Sequence, residues 1–159
     1  RQHWGDNFKA TTMSHVRQQI RERIAANLTG LTTTGSNVFA SRVYNISSSE
    51  LPALLVYAIS ETSQRDSFLS TNGLERTVDI LVEGYATTSA NLDNVLDLIS
   101  AEVETAVAGD PTCNGLCKDI FLSNSDVDLT GDGQKPVGSI KLTFECTYRT
   151  TTIAPQTAI

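Results

Sequence analysis

Apolar residues recur at every fourth position from Val16 through Ile20 and Ile24 to Leu28, while Arg17, Arg21, Glu22 and Arg23 fall off that line. The spacing predicts an amphipathic helix over about Ser14 to Leu28, its apolar stripe laid on another layer. Gly30 stands where a left-handed residue would end it. From Asn37 to Ile46, the residues Val38, Phe39, Val43, Tyr44 and Ile46 favour a strand, with imperfect alternation around Ala40 to Arg42. A polar break, Ser47 to Pro52, follows, and Pro52 cannot donate to a ladder, so the next strand starts after it. That strand runs from Ala53 to Ser60, and its unbroken Leu54-Leu55-Val56-Tyr57 predicts burial on both faces.

Glu61 to Gly73 is polar and without period, which reads as a long loop. Leu74 to Ala86 alternates again, with Val78, Ile80 and Val82 on one face and Asp79, Leu81 and Glu83 on the other, as a half-buried strand does. A second helix covers about Ala90 to Ala108 on the stripe Leu92, Leu96, Ile99, Val103 and Val107. Ser89 is placed to cap it, and Gly109-Asp110-Pro111 stops it. Cys117 to Leu129 reads as a strand interrupted at Ser123-Asn124-Ser125, then a turn at Thr130 to Pro136. The final strand, Val137 to Thr150, alternates Ile140, Leu142, Phe144, Cys146 and Tyr148 with Lys141, Thr143, Glu145, Thr147 and Arg149. The order is α-β-β-β-α-β-β, which predicts an α+β fold: a mostly antiparallel sheet with both helices packed on one face.

Residues 13–150 read as a single domain, with no repeat or linker to divide it. Residues 1–12 hold the lone Trp and no clean period, and Met13-Ser14-His15-Val16 resembles a natural start, so the segment reads as an N-terminal extension or a cloning remnant. Residues 151–159, rich in Thr and holding Pro155, read as a C-terminal tail, an arm or a frayed end. The 159 residues carry a net charge of −6, which opposes a general grip on a phosphate backbone. Arg17, Arg21 and Arg23 leave a local basic patch open, although a solvated helix face is the plainer explanation. No run of eighteen apolar residues and no signal-peptide core is present, so the chain reads as soluble, outside the membrane and not exported by the usual route. Three cysteines, an odd number, argue against a closed disulfide framework.

Candidate chemistry is thin, and the chain reads as no enzyme. The histidines are His3 and His15, and none of the common nucleophile, phosphate-cradling or zinc-protease motifs occurs. A hydrolase would have to use His15, with no particular serine indicated. Cys113 and Cys117 have a spacing near that of a zinc knuckle, but four ligands would require Cys146 and His15 as well, and Cys146 fits better as a small core residue. Asp126, Asp128, Thr130 and Gly131, with Gly133 beyond, match the first half of an EF-hand loop. Val137 stands where the bidentate Glu belongs, so a hairpin turn is the plainer reading and weak calcium binding the alternative. No catalytic residue, cofactor or metal site is therefore assigned.

A resemblance is carried by the arrangement instead. Its segments are Met13-Ser14-His15-Val16-Arg17-Gln18-Gln19-Ile20, Leu28-Thr29-Gly30-Leu31-Thr32-Thr33-Thr34-Gly35, Val38-Phe39-Ala40-Ser41-Arg42-Val43-Tyr44 and Glu50-Leu51-Pro52-Ala53-Leu54-Leu55-Val56-Tyr57. The last is Pro136-Val137-Gly138-Ser139-Ile140-Lys141-Leu142-Thr143-Phe144-Glu145-Cys146-Thr147-Tyr148-Arg149-Thr150. From about Met13 to Thr150 the chain resembles the tail terminator (tail completion) proteins of long-tailed bacteriophages, of the lambda minor tail protein U kind. The resemblance implies a structural virion protein, assembled in the host cytoplasm, whose hexameric ring caps the tail tube, ends its polymerisation and joins the tail to the head or neck. Its implied partners are further copies of itself, the tail tube protein and a head–tail connector, with DNA passing through the lumen unread. Another head–tail connector or neck protein, or a small ligand- or calcium-binding domain, is the alternative. The polar segments Glu61–Gly73 and Thr130–Lys135 are the expected reaching elements, and the last strand is the expected edge open to a neighbour.

Overall fold

In the computed structural model, residues 13–41, 46–66, 72–88, 90–130 and 137–159 are described. The i, i+4 stripe forms helix α1 (Val16–Leu28), with Val16, Ile20, Ile24 and Leu28 all buried. Gly30 sits beyond its end at φ +93°, a conformation open to glycine at little steric cost. The strand predicted over 37–46 is much shorter. Strand β1 (Val38–Phe39) has two residues and pairs in parallel with the start of the next strand, and residues 42–45 lie outside the described set.

The polar segment predicted as a loop is mostly ladder. Strand β2 (Ala53–Arg65) runs on through Glu61 to Arg65, and β3 (Gly73–Thr87) begins at Gly73, paired antiparallel with it as far as Arg65 and Leu74. Sequence period vanishes there because Thr62 to Arg65 are exposed on both faces, so no face demands apolar residues. The cross-strand hydrogen bonds hold the pair without that pattern.

Helix α2 (Leu92–Ala108) starts two residues later than expected, behind Asn91 in the left-handed region at φ 56°, with no side-chain cap bond from Asn91. Asn tolerates that conformation better than most residues do. The expected cap, Ser89, lies outside the described residues. Strand β4 (Asp119–Thr130) carries a register shift between Leu122 and Asn124, so the interruption read at Ser123 to Ser125 is a bulge within one strand. The turn residues 131–136 are outside the described set. Strand β5 (Val137–Thr151) buries alternate residues from Gly138 to Thr150, as its alternation predicts.

The sheet order is β1-β2-β3-β5-β4. Apart from the short parallel β1, every pairing is antiparallel. Both helices pack on one face, over a core that joins the helix stripes to Leu54, Val56, Val78, Ile80, Val82, Ile140, Leu142, Phe144 and Tyr148. The α+β fold and the order α-β-β-β-α-β-β are those the hydrophobic pattern predicts. Helix α2 lies close on the sheet because Gly84 and Gly138 beneath it lack side chains. A Cβ on Gly84 would come within 2.8 Å of Ile99, and one on Gly138 within 2.9 Å of both Leu92 and Leu96.

The C-terminal residues turn back instead of fraying. Pro155 O accepts from Val16 N at 3.0 Å, Gln156 O accepts from the Gln19 amide at 2.9 Å, and Ile159 N donates to Arg149 O at 3.0 Å. Ala158 packs against the main core. The segment therefore satisfies part of the open N-terminal end of α1.

Candidate assembly surfaces

His15, the candidate base of a hydrolase, is the N-cap of α1. Its Nδ1 accepts from Arg17 N at 3.0 Å, so the ring is neutral on that nitrogen and already committed. Burial holds its pKa below the ordinary value, the positive charges of Arg17 and Arg76 add to that, and Glu61 pulls the other way.

Beside it lies a part-buried polar cluster. Glu61, on the helix face of β2, accepts from Arg17 at 2.7 Å and Arg76 at 3.3 Å, and takes a short hydrogen bond from the Tyr148 hydroxyl. Arg76 Nε also donates to Thr150 Oγ1 at 3.0 Å. One carboxylate thus ties α1, β2, β3 and β5 together, with two cations and a hydroxyl satisfying it. A carboxylate engaged by three donors from three elements acts as a clamp between them.

The thiols of Cys113, Cys117 and Cys146 are all buried, Cys117 Sγ donates to Pro111 O at 3.7 Å, and the Cys113 thiol donates toward Cys117. That bond and burial push the Cys113 thiol far up. The same bond pulls Cys117 down, but its bond with Cys146 and burial outweigh it and bring it to about 12. Protonated thiols are poor metal ligands, and His15 is occupied by its cap. Among the described residues no three His, Cys, Asp or Glu side chains converge to hold a metal ion. Asp126 and Asp128 stand in the ladder of β4, opposite Lys141 and Ser139, with Asn124 donating to Asp126 at 2.8 Å. The flanking segment is strand, unlike the loop an EF hand presents to calcium, while Gly131 and Gly133 lie outside the described residues.

What remains is surface. On the sheet face away from the helices, Leu55, Tyr57 and Leu81 form a second apolar cluster with Phe39, Ile46 and Tyr85. Beside it a hollow of about 600 Å³ is lined by Leu51, Leu55, Tyr57, Glu83, Tyr85 and Lys141, among others. Glu83 is buried there, accepting from the Tyr85 hydroxyl at 2.8 Å and facing Lys141 Nζ at 3.6 Å. Burial and the Glu83 carboxylate raise the Tyr85 pKa, so the phenol stays a donor.

The chain matches the family model described as phage minor tail protein U over residues 15–148. It belongs to that family. It is therefore a structural protein of phage tails. No curated protein matches the chain. Among solved structures, it is similar to a chain of the virion of a native gene transfer agent (GTA) particle at 13% identity. That match covers 87% of this chain and 95% of that one, with a TM-score of 0.41.

For a tail protein the informative geometry is at the sheet's two sides. Strand β5, which the sequence offers as an edge, is enclosed between β3 and β4. The long edge is β4, exposed from Ser123 to Leu129, with the large apolar residues Phe121, Val127 and Leu129 about half exposed. On the opposite side β1 covers only Leu54 and Leu55, so β2 from Val56 onward is unpaired by any described strand on that side. The sequence locates β4 as a strand over Cys117 to Leu129, but not its place at the edge, because pairing order is set by topology alone.

Proposed function

We propose that this tail protein is a tail terminator: a subunit that closes with other copies into a ring, six in number, on the last tier of the tail tube. The ring ends tube polymerisation and presents its far face to the head or neck connector. In this reading, the protein assembles in the host cytoplasm and is carried in the virion. The observation that carries it is family membership over nearly the whole folded chain. The geometry supports it in one respect. A closed ring needs two different patches on each subunit, and the two sides of this sheet differ: one ends in the two-residue β1 beside β2, the other in the twelve-residue β4. With a net charge of −6, a ring of such subunits would let DNA pass with little adhesion.

The test is mass by light scattering, with and without purified tail tubes, followed by imaging of tube ends. A hexamer, or a cap at one end of the tubes that halts their growth, supports the reading. A protein that stays monomeric and leaves the tubes untouched overturns it. Binding to isolated heads but not to tubes would instead make it a head-side connector.

A further inference from the structure

The two sides of the sheet carry an apolar knob and an apolar groove at the same height. Ile59 stands at the bulge of β2, between Ala58 and Ser60, and is 46% exposed. It borders Arg17 of α1, whose next turn on that flank carries Arg21. On the far side of the molecule, α2 and β4 leave a groove of about 300 Å³ lined by Glu104, Val107, Ile120, Phe121, Leu122 and Phe144. Counting across the ladder, Ala58 is level with Ile80, Phe144 and Leu122, and Ser60 with Asp79, Glu145 and Phe121. Ile59 is thus level with the mouth of the groove. A rotation about an axis running along the strands preserves that level from one copy to the next.

Charge follows the same division. Arg23 and Asn27 turn inward to Asp110 at the end of α2, whereas Arg17 and Arg21 lie on the outer flank of α1. Along α2, Asp93, Asp97 and Glu104 share one strip, and Glu104 borders the groove beside β4. Arg21 Nε is buried without a hydrogen-bond partner among the described residues. Both edges are bulged at this level, β2 at Ala58/Ser60 and β4 at Leu122/Asn124. Bulges interrupt regular edge pairing, so side chains, rather than a continued ladder, would form a contact here.

We infer that neighbouring copies meet head to tail, with Ile59 of one subunit seated in the α2–β4 groove of the next and Arg17 and Arg21 facing Glu104 and Asp97. The occupant is a second copy of this chain, and the inference rests on the ring reading above. A polar group in the knob or in the mouth of the groove blocks one side only. Ile59→Asp and Phe121→Asp each alter an exposed residue, so each variant keeps the melting temperature of the parent within a few degrees.

The experiment compares parent, Ile59→Asp, Phe121→Asp and their equimolar mixture by light scattering, under conditions where the parent assembles alone or on tubes. The expected result is monomer for each variant and a species of twice the monomer mass for the mixture, because one intact groove remains to meet one intact knob. An Ile59→Cys, Phe121→Cys double variant should also give a ladder of disulfide-linked multimers on oxidation, since the native thiols are buried. Variants that assemble as the parent does, or a double-cysteine variant that gives no ladder while still assembling, overturn the contact and leave the ring reading standing. A parent that never assembles, alone or on tubes, overturns both.

Discussion

His15 shows how a single side chain that reads as chemistry becomes architecture. Its Nδ1 accepts the Arg17 N–H, which a protonated imidazole cannot do. Because burial, Arg17 and Arg76 lower its pKa from 6.5, the unfolded chain binds more protons at this site than the folded one. The stabilisation is complete above pH 6.5 and is lost as pH falls through 6.5 toward the folded value. Urea titrations between about pH 7.5 and 5 should show this loss in the parent. In His15→Asn, where the cap oxygen does not titrate, the loss should be smaller, and His15→Ala should cost about 1 kcal/mol at neutral pH. Glu61 sits at the other extreme, with its side chain only 11% exposed and Arg76 at 12%. Glu61→Ala leaves Arg76, Arg17 and the Tyr148 hydroxyl without their shared acceptor, and should lower stability by about 3 kcal/mol in denaturant unfolding. Neither role is readable from the sequence, where both residues sit in polar surroundings and their partners are up to 87 positions away.

Among elements, α1 and β5 were the most legible, because each has one buried and one solvated face, and burial then writes its period into the chain. The polar half of β2 was illegible for the converse reason: it is held by ladder hydrogen bonds and the Glu61 clamp, neither of which needs an apolar period. The start of α2 was misplaced because Asn91 enters the helix in a left-handed turn, which leaves no serine-type cap to read. Gly84 is a subtler case. A glycine inside a strand pattern signals close approach by another element, and here that element is α2. Gly84→Ala should force Ile99 or Ile140 aside and cost about 1–3 kcal/mol, measured as a lower urea midpoint with an unchanged slope.

For the whole molecule, the decisive property is that its sheet ends in two dissimilar sides. Most of the acidic excess is spread over exposed positions such as Asp93, Asp97, Asp119, Asp126 and Asp128. The subunit should therefore fail to shift a DNA duplex at about 0.15 M salt and micromolar protein, since no set of phosphate contacts offsets the repulsion. A tight, salt-sensitive complex in a gel-shift assay would show instead that the arginines of α1 form a working basic patch. Such an outcome would also change the picture of the lumen, which in the proposed ring lets DNA slide past.

The sequence by itself determined the fold class, the order of elements, the core stripes and the absence of a recognisable catalytic motif, and the resemblance it carries is the family the chain belongs to. These are properties written locally, in periods of two and of about four residues. Only the tertiary structure decided which strand is an edge, that β5 is enclosed and β4 exposed, and that Ile59 stands level with a groove on the far side of the sheet. Strand order and height depend on pairings between residues far apart in the chain. No local pattern encodes such pairings, because any apolar alternation fits an interior or an edge position equally well.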